Sequence, residues 1–190
     1  MTGRQKIEAH SPADIKGMRI AAPPTHFPIL RAWGAIEVDI PFNDRYMALE
    51  RGTVDGSSAP MGVSHGVRLY EVTKSTALNL GALPQATTFI VMNEKVWSGL
   101  PPDIQKVFMD NDESGMLEMD KALALEEKQG LDAVMKAGHT VTTATPDEYK
   151  LWTKPLLPLQ DKWVAEREAM GLPARAIVEE TKRLISVYSK

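Results

Sequence analysis

The chain holds four histidines, His10, His26, His65 and His139. No two stand four residues apart on a helix and no HExxH pattern occurs, so no metal site is expected. Ser57-Ser58 follows a short strand but lacks the GxSxG frame that would expose a serine nucleophile. These hydroxyls read as turn residues that satisfy local backbone. The competing reading is a small hydrolase with Ser57 or Ser58 as nucleophile and His26 or His65 as base. Asp55 stands before Gly56, where an aspartate forms turns; a strand-end catalytic carboxylate is the alternative. Asp110, Asp112, Glu113 and Glu118 read as the solvated face of a helix. No glycine-rich phosphate loop follows a strand. The residues assemble no nucleophile, base and orienting group, and imply no cofactor. They argue against an enzyme.

These side chains belong to a chain of 190 residues, enough for one good core. It is 43% hydrophobic and 25% charged, within the ordinary globular range. A net charge of −3 and the lack of any Lys/Arg run argue against a nucleic-acid surface. No apolar run reaches the length of a membrane span, and the first residues lack the apolar core of a signal peptide. Cysteine is absent, which excludes disulfides and thiolate chemistry.

The elements that must position the candidates centre on residues 40–60. Asn43 is placed as an N-cap, Gly52 as a left-handed C-cap, and Tyr46, Ala48 and Leu49 as the buried face of the helix between them. Thr53-Val54-Asp55-Gly56 reads as a very short strand, followed by the small residues 57–60, where backbone or ligand can come close. Upstream, residues 18–22 form a buried strand ended by Pro23-Pro24, and residues 27–33 a short helix. Ile36, Val38 and Ile40 alternate with acidic residues as a half-buried strand. The order is β-α-β-α-β, which favours an α/β layer with parallel pairing. Further on, the pattern predicts a helix over 61–72, strands over 75–80 and 85–93, and a short helix over 94–98. A long helix follows to residue 137, interrupted only by Gly115 and Gly130, with Ile104, Val107, Phe108, Met119, Leu123, Leu131 and Val134 at helical spacing. A strand over 139–143 and helices over 146–170 and 173–188 complete the chain.

Several phrases, taken together and in order, resemble the solute-binding proteins of TRAP (tripartite ATP-independent periplasmic) transporters. They are Asp14-Ile-Lys-Gly-Met-Arg-Ile, Trp33-Gly-Ala, the block Pro41-Phe-Asn-Asp-Arg-Tyr-Met-Ala-Leu-Glu-Arg-Gly-Thr-Val-Asp-Gly, Leu69-Tyr-Glu-Val-Thr-Lys, Val91-Met-Asn-Glu-Lys-Val-Trp-Ser-Gly-Leu-Pro-Pro-Asp-Ile-Gln, and Ala137-Gly-His-Thr-Val. The likeness runs from about residue 12 to 188. It implies an α/β, periplasmic-binding-protein-like lobe that forms half of a two-lobed receptor. Such a receptor captures a small organic solute in the periplasm and hands it to a membrane permease. It also implies that most of the first lobe would lie ahead of residue 1. The expected organisation is an arm over 1–12, a second-lobe ligand-binding domain over 13–82, a return strand with the long helix and a short strand over 83–144, and terminal helices over 145–190. The return strand at 85–93 would then be an uncovered sheet edge, which homodimerisation or domain exchange would cover.

The resemblance also places the site. The family commonly carries an arginine on the first strand, two residues before a proline, that grips the ligand carboxylate as a fork. That position is Ala21 here. Arg19, two residues earlier and on the same side of the strand, is the candidate substitute, although it matches a family lysine. A family asparagine becomes Ala59. Phe42 carries over the aromatic contact, with ordinary core as the alternative. Pro23, His26, Ser58 and Met61 complete the expected lining, His26 being either a polar contact or a surface histidine. With Ala21, Ala59 and Met61 in the lining, the expected ligand is an organic acid or a more neutral, apolar analogue. The second expectation is an interaction or regulatory module, or a fragment, that keeps the fold and binds no solute.

Overall fold

The structure, a computed structural model, describes residues 1–80 and 90–188. Strand β1 (Thr2–Gly3) opens the chain. Next come β2 (Arg19–Ala21), α1 (Phe27–Ala32), β3 (Ile36–Val38), α2 (Arg45–Glu50) and β4 (Gly56–Ser57). Helix α3 (Met61–Gly66) and β5 (Ser75–Leu78) follow. Beyond them lie α4 (Glu94–Ser98), α5 (Pro102–Asp110), α6 (Asp112–Lys136), β6 (Thr140–Thr143), α7 (Pro146–Thr153), α8 (Leu157–Ala169) and α9 (Ala174–Tyr188).

The described strands form one mixed sheet in the order β3-β2-β4-β1-β5-β6. β2 is parallel to both β3 and β4, as the β-α-β-α-β pattern predicts, and β5 is parallel to β6. β1 runs antiparallel between β4 and β5. This corrects the reading of residues 1–12 as an arm: Thr2–Gly3 sits inside the sheet. Two residues are too few to show a period, so hydrophobic patterning could not reveal the strand. Gly3 has a packing reason as well, since a Cβ there would lie 2.8 Å from Ser75 Oγ.

The core divides across β2. Ile20 joins a cluster on one face with Leu30, Trp33, Ala77 and Trp152. Ala21 joins Leu49, Val54 and Leu69 on the other. Adjacent strand residues point to opposite faces, so α1 and α2 cover opposite sides of the same sheet. The Trp33 ring meets Trp152 edge-on, with centroids 4.8 Å apart, and Trp33 Nε1 donates to the Trp152 carbonyl at 2.8 Å. Helix α7 is thereby tied to the sheet from 119 residues away in sequence.

Several boundaries differ from expectation. Phe42–Asp44 form a 3-10 turn, so α2 starts at Arg45 with Asp44 before it, and Asn43 caps nothing. Gly52 does take the left-handed conformation, φ +73°. Val54 is buried but precedes the strand it was assigned to. The helix expected over 61–72 ends at Gly66, because Arg68 turns left-handed (φ 58°) ahead of a 3-10 turn over Leu69–Glu71. The long helix breaks at Asn111, whose side chain donates back to the Val107 carbonyl, and runs unbroken through Gly115 and Gly130. Pro155, in the 3-10 turn Lys154–Leu156, separates α7 from α8. Residues 85–89 of the expected return strand lie outside the described residues, and residues 90–93 pair with no strand. The edge, dimer and exchange readings built on that segment have no footing in the described residues.

Gly130 stays in α6 because α3 crosses there. A Cβ at Gly130 would lie 2.6 Å from the Met61 carbonyl oxygen and 2.7 Å from its carbon. Glu127, one turn earlier on α6, accepts from the Met61 and Gly62 amides at 3.2 and 3.1 Å, closing the start of α3. Gly130→Ala should therefore destabilise by about 1–3 kcal/mol through overpacking against backbone. Gly115→Ala, with nothing within 4 Å of its added Cβ, should be neutral or stabilising by up to about 1 kcal/mol. Urea unfolding of the two variants checks the contrast; equal effects would mean that the α3–α6 crossing is not close.

Candidate functional site

β2, β3 and β4 point the same way, and β2 lies between the other two. The chain leaves β2 towards β3 through α1 and reaches β4 through α2, so the connections diverge between β2 and β4. In an open α/β sheet the crevice beyond the carboxyl ends at such a switch is where ligands bind. Three segments meet there: residues 22–26 after β2, residues 39–45 after β3, and residues 58–61 after β4.

His26 and Ser58 come together across this crevice, with His26 Nδ1 3.0 Å from Ser58 Oγ. Both are buried. Arg45, the first residue of α2, reaches the same point. Its Nε donates to the Ile40 carbonyl at 3.1 Å, and its Nη1 donates to Ser57 Oγ at 3.3 Å and the Ser58 carbonyl at 3.0 Å. Its guanidinium carbon sits 5.1 Å from the centroid of the Phe42 ring. Arg45 is only 4% exposed, yet among the described residues it forms no ion pair. Burial lowers its pKa, partly opposed by the charge of Asp39. Burial also lowers the pKa of His26, and the neighbouring Arg45 cation adds to this, so the imidazole is neutral at pH 7.

The expected lining residues separate into two groups. His26, Phe42 and Ser58 surround the crevice with Arg45, and Pro23, Ala59 and Met61 lie on the same connecting segments. Ala21 is fully buried in the Leu49–Leu69 cluster and is core. Arg19 lies at the opposite end of β2. Its Nη2 donates to Asp55 Oδ1 at 2.8 Å and to the Gly52 carbonyl, and its Nε to Asp55 Oδ2 at 3.0 Å. At the far end of the strand and with its charge paired to Asp55, Arg19 is unsuited to replace a ligand clamp. Asp55 serves structure too: the Arg19 hydrogen bond holds its carboxyl below the ordinary range. Arg45 escaped the sequence reading, although one signal was available. A cation in the first turn of a helix opposes the helix dipole and needs another reason to be there.

The other histidines lie elsewhere. His10 bonds to Glu148 at 2.6 Å, His65 stacks on Tyr70, and His139 bridges Thr76 Oγ1 and the Tyr70 carbonyl. Among the described residues no three His, Cys, Asp or Glu side chains gather as metal ligands. The Ser58–His26 contact resembles part of a hydrolytic dyad, but among the described residues no carboxylate orients the imidazole, and a guanidinium stands beside it. Both features oppose the imidazolium that a serine mechanism must stabilise.

A family model described as bacterial extracellular solute-binding protein, family 7, matches residues 1–167. The chain belongs to this family. A C4-dicarboxylate-binding periplasmic protein of Rhodobacter capsulatus is 30% identical over 141 residues, 73% of this chain and 41% of that protein. The 2,3-diketo-L-gulonate-binding periplasmic protein of Escherichia coli is 27% identical over 135 residues, 70% of this chain and 40% of its own length. A TRAP solute-binding protein from Rhodoferax ferrireducens, solved in complex with copurified benzoate, is 25% identical with a TM-score of 0.85. That match covers 98% of this chain and 60% of the solved one. The family 7 chain therefore spans about 40% of the length of these two curated relatives. Its α/β sheet and helices have the TRAP solute-binding protein fold.

The neutral buried imidazole has a consequence for stability. The unfolded chain takes up a proton at His26 near pH 6.5, whereas the folded chain resists it until a lower pH. The unfolded state then binds more protons, so the His26 contribution to stability falls as pH drops below about 6.5. Urea unfolding at pH 7.5 and 5.5 should show a loss for the wild type that is smaller in His26→Gln. Parallel losses in both proteins would contradict a neutral His26.

Proposed function

We propose that this chain supplies one side of the binding cleft of a periplasmic receptor. The receptor captures a small organic acid and hands it to the membrane permease of a TRAP transporter. It acts as a receptor, not as an enzyme. The strongest support is the position of the His26–Ser58–Arg45 group: polar side chains on three connecting segments, at the switch point of a parallel sheet, with apolar Phe42 and Met61 alongside. A small-molecule cleft combines these features, a few convergent polar groups within an apolar wall. Residues 13–82, together with β1, make up this ligand-binding half, and the helices from α5 onward support it. Capture works through a hinge, with the solute shifting the population towards the closed form. The relatives favour this reading over a module without transport, since two of them are named for the solutes that they bind in the periplasm.

The test uses protein expressed from its complete reading frame and exported to the periplasm. Thermal shift against a panel of benzoate, succinate, galacturonate and matched neutral amides should give at least one stabilising acid. Stabilisation by 100-fold excess over Kd should amount to about 2.7 kcal/mol. A fluorophosphonate probe should label neither Ser57 nor Ser58. Serine labelling blocked by His26→Gln would instead favour the hydrolase.

A further inference from the structure

The family resemblance puts the carboxylate grip on the first strand, and in this chain that position, Ala21, is sealed in the core. The other strand arginine, Arg19, is consumed by Asp55 and Gly52. The cation that β2 does carry is thus paired to Asp55 at the far end of the strand. The crevice nevertheless contains one, delivered from a different element.

A guanidinium has five N–H donors. In Arg45 three are engaged: Nε with Ile40, and both Nη1 protons with Ser57 and Ser58. Among the described residues Nη2 has no partner. Nor is it sealed, since the fully enclosed side-chain atoms without a partner are Thr2 Oγ1 and Trp152 Nε1. Nη2 is therefore not fully enclosed, and among the described residues its two donors are unengaged, although Arg45 as a whole is buried. Phe42 covers the guanidinium at 5.1 Å, and the three backbone and hydroxyl acceptors fix its angle. His26 flanks the same Ser58 from the other side. When Ser58 Oγ–H donates to Nδ1, the neutral ring carries its proton on Nε2, which also has no partner among the described residues. A desolvated cation with no direct ion pair among the described residues, and only the more distant Asp39 charge opposing its burial, is costly, and a ligand carboxylate would relieve that cost.

We propose that Arg45, on helix α2, anchors the carboxylate of the bound acid. It does so end-on through Nη2, with His26 Nε2–H as a neutral second donor. The grip has moved from strand to helix, and from a two-nitrogen fork to a single nitrogen. This rests on the reading of the chain as an organic-acid receptor, and it adds the residue that selects for the charge.

Calorimetry on the protein from its complete reading frame tests the proposal, using whichever acid of the panel binds and its neutral amide. In the wild type the amide should bind about tenfold to a hundredfold more weakly than the acid. Arg45→Gln should weaken the acid by the same factor and leave the amide almost unchanged, with Arg45→Lys recovering part of the loss. This non-additivity identifies the carboxylate–Arg45 contact itself. Arginine Nε–Hε NMR on the wild type gives a second readout that no misfolded variant can obscure. The Arg45 signal should shift with the acid and stay in place with the amide. Acid binding that is equal in folded Arg45→Gln, or an unmoved Arg45 signal at saturation, overturns the proposal and leaves the receptor reading intact. Failure of every acid in the panel to bind overturns the receptor reading, and this proposal with it.

Discussion

Ile20 and Ala21 are neighbours on β2, point to opposite faces of the sheet and are both fully buried. A strand buried on both sides must be covered twice. That requirement places α1 with Leu30 and Trp33 on one face and α2 with Leu49 on the other. Because the α1 crossover carries the chain from β2 to β3 on one side and the α2 crossover brings it back past β2 to β4 on the other, the loops after β2 and β4 separate at the carboxyl end of β2. The crevice is a geometric consequence of that divergence. The short strands on either side, β3 and β4, need no length of their own. They need only to stand parallel to β2, so that three loops open on the same edge.

The two arginines near this strand illustrate how partners decide the role of a side chain. Arg19 and Arg45 have the same chemistry. Arg19 meets Asp55 at the amino end of β2 and becomes a brace between the strand and the loop before β4. At 43% side-chain exposure, that pair is screened by water and contributes modestly to stability. Arg45 meets carbonyls and hydroxyls at the carboxyl end, with no acid in ion-pair range among the described residues. It keeps its charge in a desolvated place. The same cation disfavours protonation of His26, so the site pairs one permanent charge with one neutral ring.

Besides the pairing of β6 with β5, two packing contacts fasten the later helices to this layer. Gly62 and Gly130 let α3 and α6 approach to backbone contact, and Glu127 closes the start of α3 in the same place. Trp152 brings α7 onto the Ile20 face through Trp33. Away from the first crossing, α5 and α6 leave Val107, Phe108 and Leu123 exposed, so their helical spacing marks an apolar side that the described residues do not cover.

The α/β class, the parallel β2–β3–β4 set and the left-handed Gly52 were legible in the sequence, because hydrophobic alternation and glycine conformation are local properties. The ordered phrases likewise pointed to the family. The sequence also marked the crevice loops, since Pro23, Ser58 and Ala59 follow strand ends. Other features required the tertiary structure. The two-residue strand Thr2–Gly3 exists only through its partners on β4 and β5. The helix break at Asn111, where glycines were expected to interrupt, depends on a side chain turning back to Val107. Above all, whether an arginine is a brace or a free cation depends on what stands within about 3 Å of it. Spacing along the chain carries no record of that distance, and folding alone set Asp55 beside Arg19 and left Arg45 without an acid in ion-pair range among the described residues.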